Sequence, residues 1–209
     1  MPNQKVAFKA RFDMVESKES RHKFRVIQGG LTDEISLGPL RLVAAPKHAP
    51  PFKVEAFAFE EDTFLVLSTN TRVRDPKARL PRIMTRLIDM QPEIPGTVLV
   101  RGKRPLRFLA IVHDLNQEPT WKEEWIERAL DGLFQEAENR ELHAIAIPLL
   151  GTRHGSLEKA RFVVLLQRAL ERMSFNHLKR LWLIVPVGTA RDIVGILGSE
   201  YQQQEKAVT

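Results

Sequence analysis

Two apolar runs and the helix predicted between them constrain the fold of this chain more than any other feature. The segments Arg107–His113 and His143–Pro148 read as buried strands, because their apolar residues are continuous rather than alternating. The segment between them begins at Thr120 and carries apolar side chains at helical spacing. Parallel strands need a long crossover connection, which is usually a helix. The order strand, helix, strand therefore predicts an α/β fold.

A glycine-bracketed loop follows the second of these strands and precedes a predicted helix at Leu157–Met173. A loop that joins the carboxyl end of a parallel strand to a helix is where α/β folds usually bind anions. Free amides in such a loop can form a concave donor surface for phosphate, and Arg153 adds a planar bidentate donor. The predicted ligand-binding residues are Gly151, Thr152, Arg153, His154, Gly155 and Ser156.

The alternative is a plain strand-to-helix turn, in which glycine supplies the bend and Ser156 caps the helix. The two interpretations differ in the expected position of the loop and in the hydrogen bonding of its amides. A phosphate-binding loop at Gly151–Ser156 should lie at a central strand and keep several amides without intrachain partners.

Composition excludes several classes of protein. The chain has 209 residues, of which 43% are hydrophobic and 28% charged, as in ordinary globular domains. It has no cysteine, which excludes disulfides and thiolate chemistry. It has no apolar run of the roughly 18 residues that a membrane span needs, and its first residues lack the apolar core of a signal peptide. We expect a cytoplasmic protein without membrane contact.

Positive charge is concentrated in one band, Arg72–Arg107, which holds ten basic residues against three acidic ones. Such a band suggests an anionic partner, including nucleic acid. The alternative is a solvated helix face followed by a loop. This alternative is favoured, because no aromatic residues are interleaved with the charges as single-strand binding requires.

The first fifty residues differ in pattern from the rest. Residues 6–14 alternate between apolar and polar, and further short runs at 24–28, Glu34–Leu37 and Leu40–Ala45 are separated by glycines and turns. We predict an amino-terminal antiparallel β extension at residues 1–50.

Strands and helices then alternate through residues 51–200, and the polar residues 201–209 read as a disordered tail. Additional strands are predicted at Val54–Phe59, Thr63–Leu67, Thr97–Val100 and Lys179–Pro186. Additional helices are predicted at Ala78–Met90, after a capping box at Thr120–Glu123, and after Thr189.

The segment 106–187 resembles the second half of a macrodomain. The resemblance rests on the strand Phe108–Asp114, the capped helix, the run Ala146–Thr152 with its Ile-Pro-Leu-Leu-Gly-Thr block, and the closing strand Leu181–Val185. It implies a three-layer α/β/α domain with a mixed sheet. It also implies binding of ADP-ribose or a related nucleotide.

The first half of the chain departs from the macrodomain pattern. Glu60–Thr63 stands where the family has Asn-Ala-Ala-Asn, and no glycine triplet follows. In the family, enzymes that remove ADP-ribose often use that last asparagine and those glycines. The resemblance therefore predicts no deacylation of ADP-ribose esters, and Val187 provides no aromatic ring to stack on adenine.

Titratable residues give only weak catalytic candidates. His113 and Asp114, at the end of a strand, could form an acid–base pair. The structural interpretation of His113 is favoured, because the family has a histidine there as part of its fold. The acids at 60–62 are expected to be solvated in a loop, and no histidines have metal-ligand spacing. No metal and no cofactor are predicted.

The sequence thus predicts a divergent macrodomain-like module that binds a nucleotide-type or other phosphorylated ligand without catalysis. One alternative is a hydrolase of ADP-ribosyl or phosphate esters that acts through His113, Asp114 and His154. Another is an RNA- or protein-interaction module that uses the band Arg72–Arg107.

Overall fold

The computed structural model describes the backbone of residues 33–67 and 91–207, and the side chains of residues 33–67 and 91–199. The predicted strands at 6–14 and 24–28 and the predicted helix Ala78–Met90 lie outside these residues. The strands of the described part are β1 (Asp33–Leu37), β2 (Leu40–Ala45), β3 (Ala56–Asp62), β4 (Val98–Arg101), β5 (Leu106–His113), β6 (Ala144–Pro148) and β7 (Arg180–Ile184). The helices are α1 (Glu123–Asn139), α2 (Lys159–Arg172) and α3 (Ala190–Ala207).

The strands form one mixed sheet of seven strands in the order β1-β2-β7-β6-β3-β5-β4. The inner strands, from β2 to β5, pair in parallel, and the hairpin partners β1 and β4 are antiparallel at the two margins. The predicted α/β class and mixed sheet are confirmed. Because the five inner strands run the same way, all their carboxyl ends lie at one edge of the sheet. We call it the carboxyl edge.

The main core lies between one face of the sheet and the three helices. Alternate residues of the inner strands point into it, as Ile145 and Ile147 do on β6. The opposite face carries a smaller cluster around Trp182, whose indole N–H donates to the carbonyl of Ala45 at 3.0 Å. Both faces of the inner strands are therefore buried, which explains their continuous apolar sequences.

The strand β2 belongs to the predicted amino-terminal extension, residues 1–50, and pairs with the main sheet. Leu40–Ala45 pairs in parallel with β7, and Leu40, Leu42 and Ala44 lie fully inside the main core. Residues assigned from sequence to an extension at 1–50 are thus part of the main sheet. The Leu-Val-Ala-Ala run is the physical reason, because a strand with two apolar faces is stable only when both are covered.

Two local predictions are wrong for a common reason. Thr63–Leu67 is a turn, because the buried Asp62 carboxylate accepts bonds from the amides of Phe64, Val66 and Leu67. The capping box also fails to form, since α1 begins after Lys122 without a side-chain cap. At the first place the Asp62 carboxylate replaces the strand pattern, and at the second the Thr120 hydroxyl lies 3.3 Å from Nδ1 of His113.

The carboxyl-terminal helix is longer than the sequence suggests. The backbone of α3 continues to Ala207, where a disordered tail is predicted at 201–209. Gln, Glu and Lys have good intrinsic helix propensity, so a polar run can extend a helix that packing has already started. In the part of the chain that the structure describes, no helix is both long and apolar enough to cross a membrane.

Candidate functional site

The predicted ligand loop, Gly151–Ser156, lies at the carboxyl edge directly after β6, the middle strand of the seven. Gly151 has φ +75°, a left-handed conformation that L side chains rarely adopt. A methyl group added there would also lie 2.6 Å from Cδ1 of the fully buried Ile126. The backbone angle therefore favours glycine at this position, and any larger residue would also force the end of the Ile126 side chain to shift.

Most amides of the loop have no partner among the described residues. Within the loop, the Thr152 amide donates to the carbonyl of Leu149 at 3.2 Å, and the Thr152 hydroxyl donates to the same oxygen at 2.8 Å. In the described parts of the chain, the amides of residues 153–156 make no intrachain hydrogen bond. This is the arrangement that an anion-binding loop requires.

Three side chains of the loop are open to solvent. Arg153, His154 and Ser156 are exposed. Arg153 forms no ion pair with any carboxylate in the described residues. The alternative of a plain helix cap is not observed, because the residue that caps α2 is Glu158, without a side-chain bond.

The Trp121 side chain holds the far end of the loop. Its indole N–H donates to Oγ of Ser156 at 3.3 Å. A methyl group at Gly155 would lie 2.5 Å from Cδ1 of Trp121 and 2.6 Å from the carbonyl oxygen of Gly151. Gly155 therefore permits a close approach of the indole ring to the loop, which the sequence did not reveal.

A buried polar chain lies beneath the loop, at the ends of β3 and β5. Nε2 of His113 contacts Oε1 of Glu60, and both side chains are more than nine-tenths buried. Nδ1 of His113 lies 3.3 Å from the hydroxyl of Thr120. The rings of His113 and His154 meet edge to face, with their centroids 6.3 Å apart. The structure thus brings His113 and His154 together.

Asp114 takes no part in this chain of contacts. Its carboxylate accepts a bond from the amide of Asn116 at 3.0 Å and from Nε2 of Gln117 at 2.6 Å, which closes the turn after β5. The pair that His113 forms is with Glu60, 53 residues earlier in the chain. Hydropathy patterns could not reveal such a contact between two distant segments.

The three acids after Phe59 are not a solvated loop. Glu60, Glu61 and Asp62 belong to β3 and are buried. The strand continues through them because Glu60 and Glu61 pair in parallel with Ala110 and Ile111 of β5. Among residues 33–67 and 91–207, no cluster of three His, Cys, Asp or Glu side chains could hold a metal ion.

The described part of the basic band lies far from the loop. The hairpin that joins β4 to β5 carries Arg101, Lys103 and Arg104 at the amino end of β5. Arg104 contacts Glu55 at 3.1 Å. The rest of the band, from Arg72 to residue 90, lies outside the described residues.

Several solved structures with the same architecture are macrodomains. The chain superimposes on the Oceanobacillus iheyensis macrodomain with ADP with a TM-score of 0.61 and 10% identity, over 83% of this chain and 97% of that one. The macro domain of ganglioside induced differentiation associated protein 2 gives a TM-score of 0.52 and 9% identity, over 75% and 81%. This chain has the macrodomain fold.

The fold likeness is not accompanied by a sequence match. No protein-family model matches the chain, and the search of curated proteins gives no match either. The macrodomain resemblance noted in the segment 106–187 is nevertheless confirmed at the level of the fold, because the superposition covers most of the chain.

Proposed function

We propose that this macrodomain-fold chain binds a nucleotide-type ligand with a diphosphate, of the ADP-ribose kind, at the carboxyl edge. The observation that carries the proposal is the loop after the middle strand, in which the amides of residues 153–156 have no partner in the described chain. Solved Oceanobacillus iheyensis macrodomains of the same fold are described with ADP and with ADPR.

The local charges support an anion at this loop. Arg153 is exposed and unpaired within the described residues, so it can turn toward a phosphate. The helix α2 begins shortly after the loop. The dipole at its amino terminus would stabilise an anion near it by about 0.3–1 kcal/mol. A charge-assisted bond from the guanidinium adds roughly 1.5–3 kcal/mol.

The acids at the end of β3 do not oppose the proposal. Carboxylates that faced a bound diphosphate would repel it. The Asp62 carboxylate instead accepts hydrogen bonds from three backbone amides, and the Glu60 carboxylate contacts His113. Neither group presents an unpaired carboxylate at the loop.

A thermal-shift screen with ADP-ribose, NAD, ADP and inorganic phosphate tests the proposal, followed by calorimetric titration of each hit. A ligand present at a hundredfold its Kd stabilises the folded protein by about 2.7 kcal/mol, which such a screen detects. No stabilisation by any diphosphate-bearing nucleotide at millimolar concentration would contradict the proposal.

Arg153→Ala is expected to weaken the affinity of the protein for the titrated nucleotide by about ten- to a hundredfold. The melting temperature of the free protein should stay unchanged. The matched control is Arg101→Ala, which removes an exposed arginine at the opposite edge of the sheet. Equal affinities of the two variants for a confirmed nucleotide would remove the loop from the site.

The basic band supports a separate and weaker proposal, contact with RNA or with an acidic protein. Its described residues lie at the other edge of the sheet, so the two proposals can be distinguished. The affinity of this band for RNA would fall steeply as the salt concentration rises. Arg101→Ala would lower this affinity, whereas Arg153→Ala would not.

A further inference from the structure

The buried contacts beneath the loop follow the order hydroxyl, imidazole, carboxylate. The Thr120 hydroxyl lies 3.3 Å from Nδ1 of His113, and Nε2 of the same ring contacts Oε1 of Glu60. A nucleophile, a base and an orienting acid in this order are the parts of a serine-hydrolase triad, which is recognised by geometry rather than by fold.

The carboxylate of Glu60 defines the role of each ring nitrogen. A carboxylate only accepts, so the imidazole proton lies on Nε2 and the lone pair lies on Nδ1. That lone pair faces the Thr120 hydroxyl, which donates to it. The imidazole is fully buried. The positive charge that it would gain on taking a proton is therefore balanced by the buried carboxylate of Glu60.

The three residues are graded in exposure as a nucleophilic site requires. Glu60 and His113 are buried, whereas Thr120 is only half-buried. The next residue, Trp121, contacts Gly155 and Ser156 of the loop. The Thr120 hydroxyl is thus carried on the residue before the tryptophan that contacts this loop. Backbone amides such as those of the loop are the donors that stabilise an oxyanion.

We propose that Thr120, His113 and Glu60 form a hydrolytic site for carboxylic esters, with Thr120 as nucleophile, His113 as general base and Glu60 as positioning residue. Oγ1 of Thr120 bonds to the acyl carbon and transfers its proton to Nδ1 of His113. The ester C–O bond breaks, and the leaving oxygen takes that proton. An acyl-threonine and a free alcohol result.

Water completes the cycle. Nδ1 of His113 accepts a proton from a water molecule whose oxygen bonds to the acyl carbon, and then returns the proton to Oγ1 of Thr120 as the acyl-threonine bond breaks. The net reaction converts ester and water to acid and alcohol. It uses neither the asparagine nor the glycine triplet that the chain lacks, and it does not depend on nucleotide binding.

Hydrolysis of para-nitrophenyl acetate, followed by release of nitrophenolate, tests the site without any nucleotide. Thr120→Val keeps the shape of the side chain and removes the hydroxyl, and we expect turnover to fall by about 10²–10⁴-fold. Thr120→Ser should retain turnover. The matched control is Thr97→Val, because the Thr97 hydroxyl donates to a backbone carbonyl and has no histidine partner.

A fluorophosphonate probe tests the nucleophile directly. Thr120 oxygen would bond to phosphorus as fluoride leaves, and peptide mass spectrometry would locate the adduct on residue 120. Glu60→Gln should lower kcat and leave KM unchanged, which a merely structural glutamate would not do.

Unchanged turnover in Thr120→Val, or an adduct on another residue, would overturn the triad. Background-level turnover in the wild-type chain would also overturn it. None of these results would affect the nucleotide proposal, which is measured by binding.

Discussion

Gly151 and Gly102 share a left-handed backbone conformation, but only Gly151 also lies close to a buried side chain. Their φ angles are +75° and +80°, but a methyl group at Gly102 would meet nothing within 4 Å. Both alanine variants should lose the roughly 1–2 kcal/mol that a left-handed backbone costs an L residue. The free energy of unfolding of Gly151→Ala should fall by about 1–3 kcal/mol more, because the end of the Ile126 side chain must shift within a packed core.

Urea denaturation of the two variants measures this difference in the free energy of unfolding. Gly102→Ala serves as the control, since it changes the backbone preference without adding a steric contact. Equal losses would show that the loop can relax around the new methyl group and that the contact with Ile126 is soft.

At the scale of single residues, the sequence predicts where a residue lies in the fold more readily than which side chain it contacts. The residue types of the loop predicted its place after a parallel strand, because glycine, arginine and serine carry local preferences. The contacts of His113 with Glu60 and Thr120 could not be predicted, because each joins segments whose spacing in sequence carries no periodic signal. Whether the loop residues bind a ligand stays a prediction.

At the scale of elements, Glu138 near the end of α1 holds the segment that leads into β7. Its carboxylate accepts bonds from the amides of Asn176, His177 and Leu178. Burial raises the pKa of this carboxyl, but the three amide bonds outweigh burial and lower it below its ordinary value of 4.5. One acidic side chain thus connects a helix to a strand.

Glu138→Gln should destabilise the fold by about 1–3 kcal/mol at neutral pH, because the amides lose a charged acceptor. A lowered folded pKa means that the charged carboxylate stabilises the fold above its unfolded pKa. This contribution is lost as the pH falls through the folded pKa. The difference between wild type and variant should therefore be full at pH 7 and shrink below about pH 4.5.

Urea denaturation at several pH values checks the prediction. Glu136→Gln is the neighbouring control, because that carboxylate pairs with the exposed Arg140 at the end of the same helix and should matter little. If the difference in the free energy of unfolding between wild type and Glu138→Gln did not change with pH, the charge of Glu138 would not be what stabilises this contact.

Three ion pairs along α1 and α2 show why helices were easier to predict than their contacts. Arg161, Arg168 and Arg172 contact Glu123, Glu127 and Asp131 respectively. Hydrogen bonding from Arg161 lowers the pKa of Glu123. Apolar spacing predicted both helices, because it depends on one helix at a time. The three ion pairs depend on how the two helices align, and this alignment cannot be predicted from one sequence.

At the scale of the whole molecule, the amino-terminal hairpin is an integral part of the domain. The side chains of Ile35, Leu40 and Leu42 are buried, and α3 packs against β1 and β2. A fragment 51–209 should therefore fail to unfold cooperatively, because it exposes the margin of β7 and the apolar face of α3. A fragment 33–209 should retain a cooperative transition.

Thermal and urea unfolding of the two fragments, followed by circular dichroism, separates these outcomes. A cooperative transition in the shorter fragment would support the boundary at residue 51 that the sequence suggested. The fold class was predictable because it follows from the order of apolar segments. The position of β2 was not, because its partner β7 lies near the other end of the chain.

The pairing of β2 with β7 also imposes an order in time during synthesis. Residue 45 leaves the ribosome long before residue 180, which pairs with Arg41. At translation rates of about 5–20 residues per second, the hairpin waits roughly 7–28 s for its parallel neighbour. During that interval an apolar strand has no native partner on one side. Until β7 emerges, the free margin of β2 is therefore open to non-native pairing.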